Sequence, residues 1–83
     1  MSATVTREQV RQVVTDALAE LGPEKDQITD AATWEELDVD SLDLAELSQV
    51  VEEELGVKLK GDDVARIRTV GEAVALIAER AGS

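Results

Sequence analysis

Apolar residues recur at helical spacing in three separate stretches of this chain, and this pattern restricts it to a helical fold. Within each stretch they fall three or four positions apart, which places them on one face of an α-helix. The three stripes are Val10, Val13, Val14, Ala17, Leu18 and Leu21; Leu44, Leu47, Val51 and Leu55; and Val70, Ala73, Val74, Ile77, Ala78 and Ala81. Each stripe predicts one amphipathic helix.

Capping signals give the predicted bounds of the first two helices. Thr6 and Gln9 form a capping-box pair, so the first helix is predicted over residues 7–21, ahead of a Gly-Pro stop. Asp40 is a good N-cap residue, and it predicts a second helix over residues 41–55 that a glycine ends.

The second half of the chain predicts two more helices. A short third helix is predicted over residues 63–67, and a capping box formed by Thr69 and Glu72 opens the last helix. Residues 57–60 alternate like a strand, but a lone strand has nothing to pair with. We therefore expect an extended connection whose apolar side chains point inward.

A long polar loop is predicted between the first two helices, over residues 22–39. Ile28, Trp34 and Leu37 are its predicted anchors, and a capping-box pattern from Thr33 to Glu36 is compatible with one helical turn. Trp34 is the only aromatic residue of the chain. We expect it to pack over the core rather than to stack on a ligand.

These elements predict an all-α fold, a small four-helix bundle with three long helices and a short third one, in a single domain over residues 1–83. The formal net charge of −11 argues against nucleic-acid or anionic-membrane partners and favours partners with basic surfaces. No apolar run approaches the roughly 18 residues of a membrane span. Residues 1–5 carry no leader pattern, so a cytoplasmic protein is expected.

The residue types that are missing exclude most catalytic chemistry. The chain has neither His nor Cys, which rules out a Ser–His triad, thiol catalysis and thiolate–zinc sites. Asp38, Asp40 and Asp43 superficially resemble a calcium loop, but an EF-hand needs glycine where Asp43 stands and glutamate where Gln49 stands. No catalytic residue and no metal site is therefore predicted.

Ser41 is the residue that this elimination singles out. If Asp40 caps the second helix, the Ser41 hydroxyl stands free at a helix N-terminus, where the partial positive charge favours a phosphate. A serine nucleophile needs an adjacent base, and only carboxylates are near in sequence. The pattern therefore predicts a serine that another enzyme modifies.

Acidic side chains follow Ser41 along the second helix. Asp43, Glu46 and Glu53 share a face, and Glu52 and Glu54 lie near the C-terminal end, where carboxylates oppose the helix dipole. A binding surface would explain this local cost, but an ordinary solvated face is equally compatible with the pattern.

The predicted core is almost wholly branched aliphatic. Core filling is the simpler interpretation of such a composition. The alternative is an interior that parts to admit an alkyl chain between the second, third and fourth helices. The walls of this predicted cavity are Leu47, Val51, Val64, Ile67, Val74 and Ile77.

Several short motifs together resemble the acyl carrier protein family, over nearly the whole chain from Val5 to Ala81. Asp-Ser-Leu at the start of the second helix is the hallmark of that family. The stretches that carry the resemblance are Asp40-Ser41-Leu42-Asp43, Glu46-Leu47, Glu52-Glu53-Glu54-Leu55-Gly56-Val57 and Thr69-Val70-Gly71-Glu72-Ala73-Val74.

The resemblance implies a cofactor and partners. In that family the serine, here Ser41, carries 4′-phosphopantetheine, which a phosphopantetheinyl transferase transfers from coenzyme A with magnesium; the thiol of the arm holds acyl groups as thioesters. The partners implied are this transferase and the ketosynthases, acyltransferases and other enzymes of fatty-acid or polyketide biosynthesis, acting on a discrete monomeric carrier. The implied recognition residues are Asp40, Leu42, Asp43, Ala45, Glu46, Glu52 and Glu53.

Three positions depart from the family pattern. Asp38 stands where the family usually has glycine, Trp34 where phenylalanine is commoner, and Lys60-Gly61 where many members have a proline. The alternatives are a carrier for aminoacyl or lipopeptide-starter groups and an unmodified acidic helical adaptor.

Overall fold

The computed structural model describes residues 5–81, and this part of the chain contains four α-helices. α1 spans Arg7–Glu20, α2 spans Ser41–Leu55, α3 spans Gly61–Arg66 and α4 spans Val70–Ala81. A 3-10 turn, Lys25–Gln27, lies in the long loop between α1 and α2. The predicted all-α architecture, with its short third helix and long first loop, is confirmed.

The helix ends follow their caps. α2 has the predicted bounds, and Thr69 caps α4 by accepting a hydrogen bond of 3.1 Å from the Glu72 N–H. α3 begins at Gly61 rather than at residue 63, because the Lys60 N–H donates to Asp63 Oδ2 at 3.1 Å and so closes a capping contact two residues earlier than predicted. Residues 57–60 form the expected extended connection.

The core lies where α1 packs against both α2 and α4. Each of these helices contributes side chains with no exposed surface, and burial of each is worth about 1.5–3 kcal/mol. These side chains are Val10, Val14 and Leu18 of α1, Val51 of α2, and Val74 and Ile77 of α4. All six belong to the predicted stripes.

The loop between α1 and α2 is anchored as predicted. Ile28 and Leu37 are buried, and Trp34 is half-buried against the core. Ala32 and Val39 are buried as well, which the sequence pattern did not indicate. The loop therefore supplies a layer of the core rather than lying loose across it.

Backbone hydrogen bonds join this loop to the start of α4. The Val70 N–H donates to the Ala32 carbonyl at 3.0 Å, and the Gly71 N–H donates to the Asp30 carbonyl at 2.9 Å. Both donors lie in the first turn of α4, which has no partner for them within the helix. A Cβ at Gly71 would lie 3.0 Å from the Asp30 oxygen, so this close approach favours glycine.

No helix within residues 5–81 is long and apolar enough to cross a bilayer. Residues 1–4, on which the expected lack of a leader mostly rests, lie outside the described part of the chain.

Candidate functional site

The turn that delivers the chain to α2 is closed by a Schellman motif. The Val39 N–H donates to the Trp34 carbonyl at 2.8 Å, and the Asp38 N–H donates to the Glu35 carbonyl at 3.2 Å. This pair of bonds requires a left-handed residue between them, and Asp38 has φ of 58°. Asp38 therefore stands at a position where the backbone geometry favours glycine.

Asp38→Gly is expected to stabilise the protein. A non-glycine residue in the left-handed region is strained by roughly 1 kcal/mol, although aspartate tolerates it better than most. We expect the free energy of unfolding to rise by up to about 1 kcal/mol, measured by chemical denaturation. Asp38→Asn and Asp38→Ala remove the same charge, so they are matched controls, and the expected order of stability is Gly, then Asn, then Ala. An alanine variant as stable as the glycine variant would contradict the assignment.

Asp40 caps α2, as predicted. Its Oδ1 accepts from the Asp43 N–H at 2.9 Å, and Asp43 Oδ2 accepts from the Asp40 N–H at 3.3 Å. Both carboxylates are thus engaged with the backbone. Ser41 is the first residue of α2 and is exposed, and its hydroxyl has no hydrogen-bond partner within residues 5–81. A free hydroxyl at a helix N-terminus is what the sequence pattern predicted.

The predicted recognition residues lie along the outer side of α2. Leu42 is 77% exposed and is the one large apolar side chain that stands out from the surface among residues 5–81. Ala45, Glu46, Glu52 and Glu53 are exposed and follow Leu42 at helical spacing. Asp43 is half-buried, in keeping with its capping role.

This face carries uncompensated negative charge. α2 has no basic residue in its last turn, and the ion pairs of the described chain lie elsewhere, at Arg11–Asp30, Lys25–Asp16 and Arg80–Asp63. Glu46, Glu52 and Glu53 therefore face solvent, and no cation within residues 5–81 is in contact with them. We call this surface, made of Leu42, Ala45, Glu46, Glu52 and Glu53, the acidic face.

Four of the six predicted wall residues line one small cavity. Leu47, Val64, Ile67 and Ile77 surround it, whereas Val51 and Val74 are fully buried elsewhere in the core. The remaining lining comes from Trp34, Leu44, Ser48, Leu59 and Ala73. Its volume of about 10 Å³ holds no more than one water molecule.

Trp34 connects this cavity to the turn before α2. Its side chain lines the cavity, and its Nε1–H donates to the Ile67 carbonyl at the end of α3 at 2.9 Å. The sequence predicted an anchor but not this bond, since no local signal relates residues 33 positions apart.

An ion pair that the sequence did not predict fixes α3 to α4. Asp63 is 5% exposed, and its carboxylate accepts from Arg80 Nη1 at 3.0 Å and from Nη2 at 2.6 Å. The hydrogen bond from Arg80, and a second one from the Lys60 N–H, hold the pKa of Asp63 below its ordinary value. The same contact raises the pKa of Arg80.

The Asp63 ion pair predicts a pH-dependent contribution to stability. Because its pKa is lower in the folded than in the unfolded state, the contribution is complete above about pH 3.9 and is lost as the pH falls through the folded pKa. We expect Asp63→Asn to lower the thermal midpoint by several degrees at pH 7, and we expect this difference to narrow at pH 3. Asp30→Asn is the control. The pKa of Asp30 is also lowered, by Arg11, but the side chain is 58% exposed, so we expect a smaller decrease of the thermal midpoint. A difference for Asp63→Asn that stays constant with pH would contradict the prediction.

Comparisons with known proteins cover the whole of this site. A family model described as phosphopantetheine attachment site matches residues 8–77. The acyl carrier protein of Petrotoga mobilis (strain DSM 10674 / SJ95) is 35% identical over 74 residues, which are 88% of this chain and 84% of that protein. The acyl carrier protein of Zymomonas mobilis subsp. mobilis (strain ATCC 31821 / ZM4 / CP4) is 39% identical over 75 residues, 89% of this chain and 92% of that protein.

Proposed function

Because this chain belongs to the acyl carrier protein family, we propose that Ser41 is the residue to which its 4′-phosphopantetheine arm is attached. The protein is a carrier and not an enzyme, and it works with acyl-processing enzymes. One observation supports Ser41 above all: its exposed hydroxyl is free at the N-terminus of α2, because Asp40 supplies the cap.

The residues around Ser41 fit such a group. The helix N-terminus favours the negative charge of a phosphodiester, and the exposed hydroxyl is accessible to a transferase active site. The terminal thiol of the arm supplies the thioester linkage to the acyl group. The chain itself has no cysteine, so the thiol must come from the arm.

The acidic face is proposed to bind partner enzymes. Its carboxylates have no ion-pair partner among residues 5–81, so a basic patch on a transferase, ketosynthase or acyltransferase would complement them. Leu42 and Ala45 add apolar contact beside Ser41. Asp40 and Asp43 lie at the Ser41 end of this face, and their carboxylates contribute to the same negative field.

The cavity between α2, α3 and α4 is proposed to receive the acyl chain. Its lining is apolar on all three helices, and its one hydroxyl, that of Ser48, donates to the Leu44 carbonyl at 3.0 Å. As a member of this family, the chain is proposed to act in fatty-acid or polyketide biosynthesis. A monomer is the proposed form, since Leu42 is the one large apolar side chain exposed on the described chain. The cytoplasm is the proposed location, as is typical of acyl carrier proteins.

Intact-mass measurement tests the proposal. The purified protein is incubated with coenzyme A, magnesium and a broad-specificity phosphopantetheinyl transferase, beside a known carrier as control. We expect a gain of one phosphopantetheinyl group. If the control is modified and this chain is not, the proposal is wrong and an unmodified acidic adaptor becomes the better interpretation.

A further inference from the structure

We propose that Trp34 determines the size of the acyl group that this carrier encloses, because it holds α3 closed over the cavity. The inference rests on the proposed function, since it concerns the group carried on Ser41.

The cavity is closed as it stands. Its volume of about 10 Å³ cannot hold even a short alkyl chain. Any acyl group that enters must therefore displace one of the walls.

α3 is the wall that is least constrained by packing. α2 and α4 both pack along α1, whereas α3 has only six residues and makes sparse contacts with the other helices. Segments with few packing contacts open at a low free-energy cost. The contribution of α3 to the cavity is Val64, followed by Ile67 just after its end.

Polar contacts hold α3 at both ends, and they differ in compliance. Asp63, near the start, is bound by Arg80, whose flexible side chain is 40% exposed and can follow a small movement. Ile67, at the end, is bound through its carbonyl by the rigid indole of Trp34. Outward movement of Ile67 would break that hydrogen bond, while the Asp63 end acts as the hinge.

Trp34 also occupies space that the acyl chain would need. Because the same indole lines the cavity and holds Ile67, residue 34 controls both the ease of opening and the room available. Trp34→Phe would keep an aromatic ring but lose the hydrogen-bond donor to the Ile67 carbonyl. Trp34→Ala would lose both the ring and the donor, and it would leave a larger cavity.

The unmodified protein provides the first test, by hydrogen exchange of the α3 amides. We expect Trp34→Phe to exchange about fivefold faster over residues 61–67, the factor that corresponds to the loss of one ordinary hydrogen bond. Val13→Ala is the control for general loosening, because Val13 lines a different groove, between α1 and α2. The proposal would be overturned if α3 in Trp34→Phe exchanged no faster than in the native protein, or no faster than in Val13→Ala.

The loaded protein provides the second test, which needs no variant. Ser41 is loaded with butyryl, hexanoyl or octanoyl phosphopantetheine from the corresponding coenzyme A esters. Trp34 is the only aromatic residue of the protein, so it is the source of the fluorescence. Its emission therefore reports directly on contact between the indole and the acyl group. We expect a change in emission that grows with chain length, and identical emission from the holo and octanoyl forms would overturn the proposal.

The rate at which hydroxylamine cleaves the thioester then measures how far the protein encloses the acyl group. In Trp34→Ala, we expect the octanoyl thioester to be cleaved severalfold more slowly than in the native protein, because the larger opening admits more of the chain. Cleavage rates independent of residue 34 at every length would count against the proposal. Failure to load Ser41 at all would instead refute the proposed function, and the exchange experiment would still decide the role of Trp34.

Discussion

Ser41→Ala is expected to abolish the mass gain from phosphopantetheinyl transfer completely. The substitution removes the accepting oxygen and leaves α2 intact, because Asp40 and Asp43 form the cap without the serine. The folded state should therefore be unchanged in circular dichroism and thermal midpoint. The expected result is a folded protein that a transferase cannot modify.

Ser48→Ala is the matched control on the same helix. The Ser48 hydroxyl is half-buried and donates to the Leu44 carbonyl, so it is not accessible to a transferase. We expect this variant to gain the full phosphopantetheinyl mass. A mass gain in Ser41→Ala would show that a different residue is modified, and peptide mapping would locate it.

The parts of this fold that the sequence predicted are those set by residues close together in the chain. The Asp40–Asp43 and Thr69–Glu72 caps each join residues three apart, so their patterns gave the starts of α2 and α4. The Schellman motif at Asp38 is equally local, but aspartate in place of glycine conceals it.

The parts that the sequence did not predict depend on packing between distant segments. The Asp63–Arg80 and Trp34–Ile67 contacts span 17 and 33 residues, and no spacing rule relates such pairs. Helical periodicity likewise shows that Val51 and Val74 face inward. It does not show that neither of them lines the small cavity.

The second large effect is expected from the acidic face. Reversing Glu46 and Glu53 to lysine changes the net charge from −11 to −7, since each replacement adds two units. We expect kcat/KM of a partner enzyme for the carrier to fall on the order of tenfold at low salt, because the field that steers a basic patch to Ser41 is reversed locally. The loss should shrink as salt is raised, since both positions are exposed and screened.

Glu8 and Glu20 provide the charge-matched control. Both are exposed on α1, in its first and last turns, so reversal to lysine gives the same net charge, and the effects on the helix dipole oppose each other. We expect this variant to keep most of the partner turnover. Equal losses in the two variants would mean that only net charge matters and that the acidic face has no specific role.

In the variant with lysine in place of Glu46 and Glu53, the thermal midpoint and the partner turnover are expected to change in different directions. Glu53 lies near the C-terminal end of α2, where a carboxylate opposes the helix dipole and a lysine would complement it. The thermal midpoint should therefore stay the same or rise slightly while partner turnover falls. A binding role explains why carboxylates occupy positions where they weaken their own helix. If the midpoint fell in parallel with turnover, the loss would instead reflect unfolding, and the case for the acidic face as a docking surface would fail.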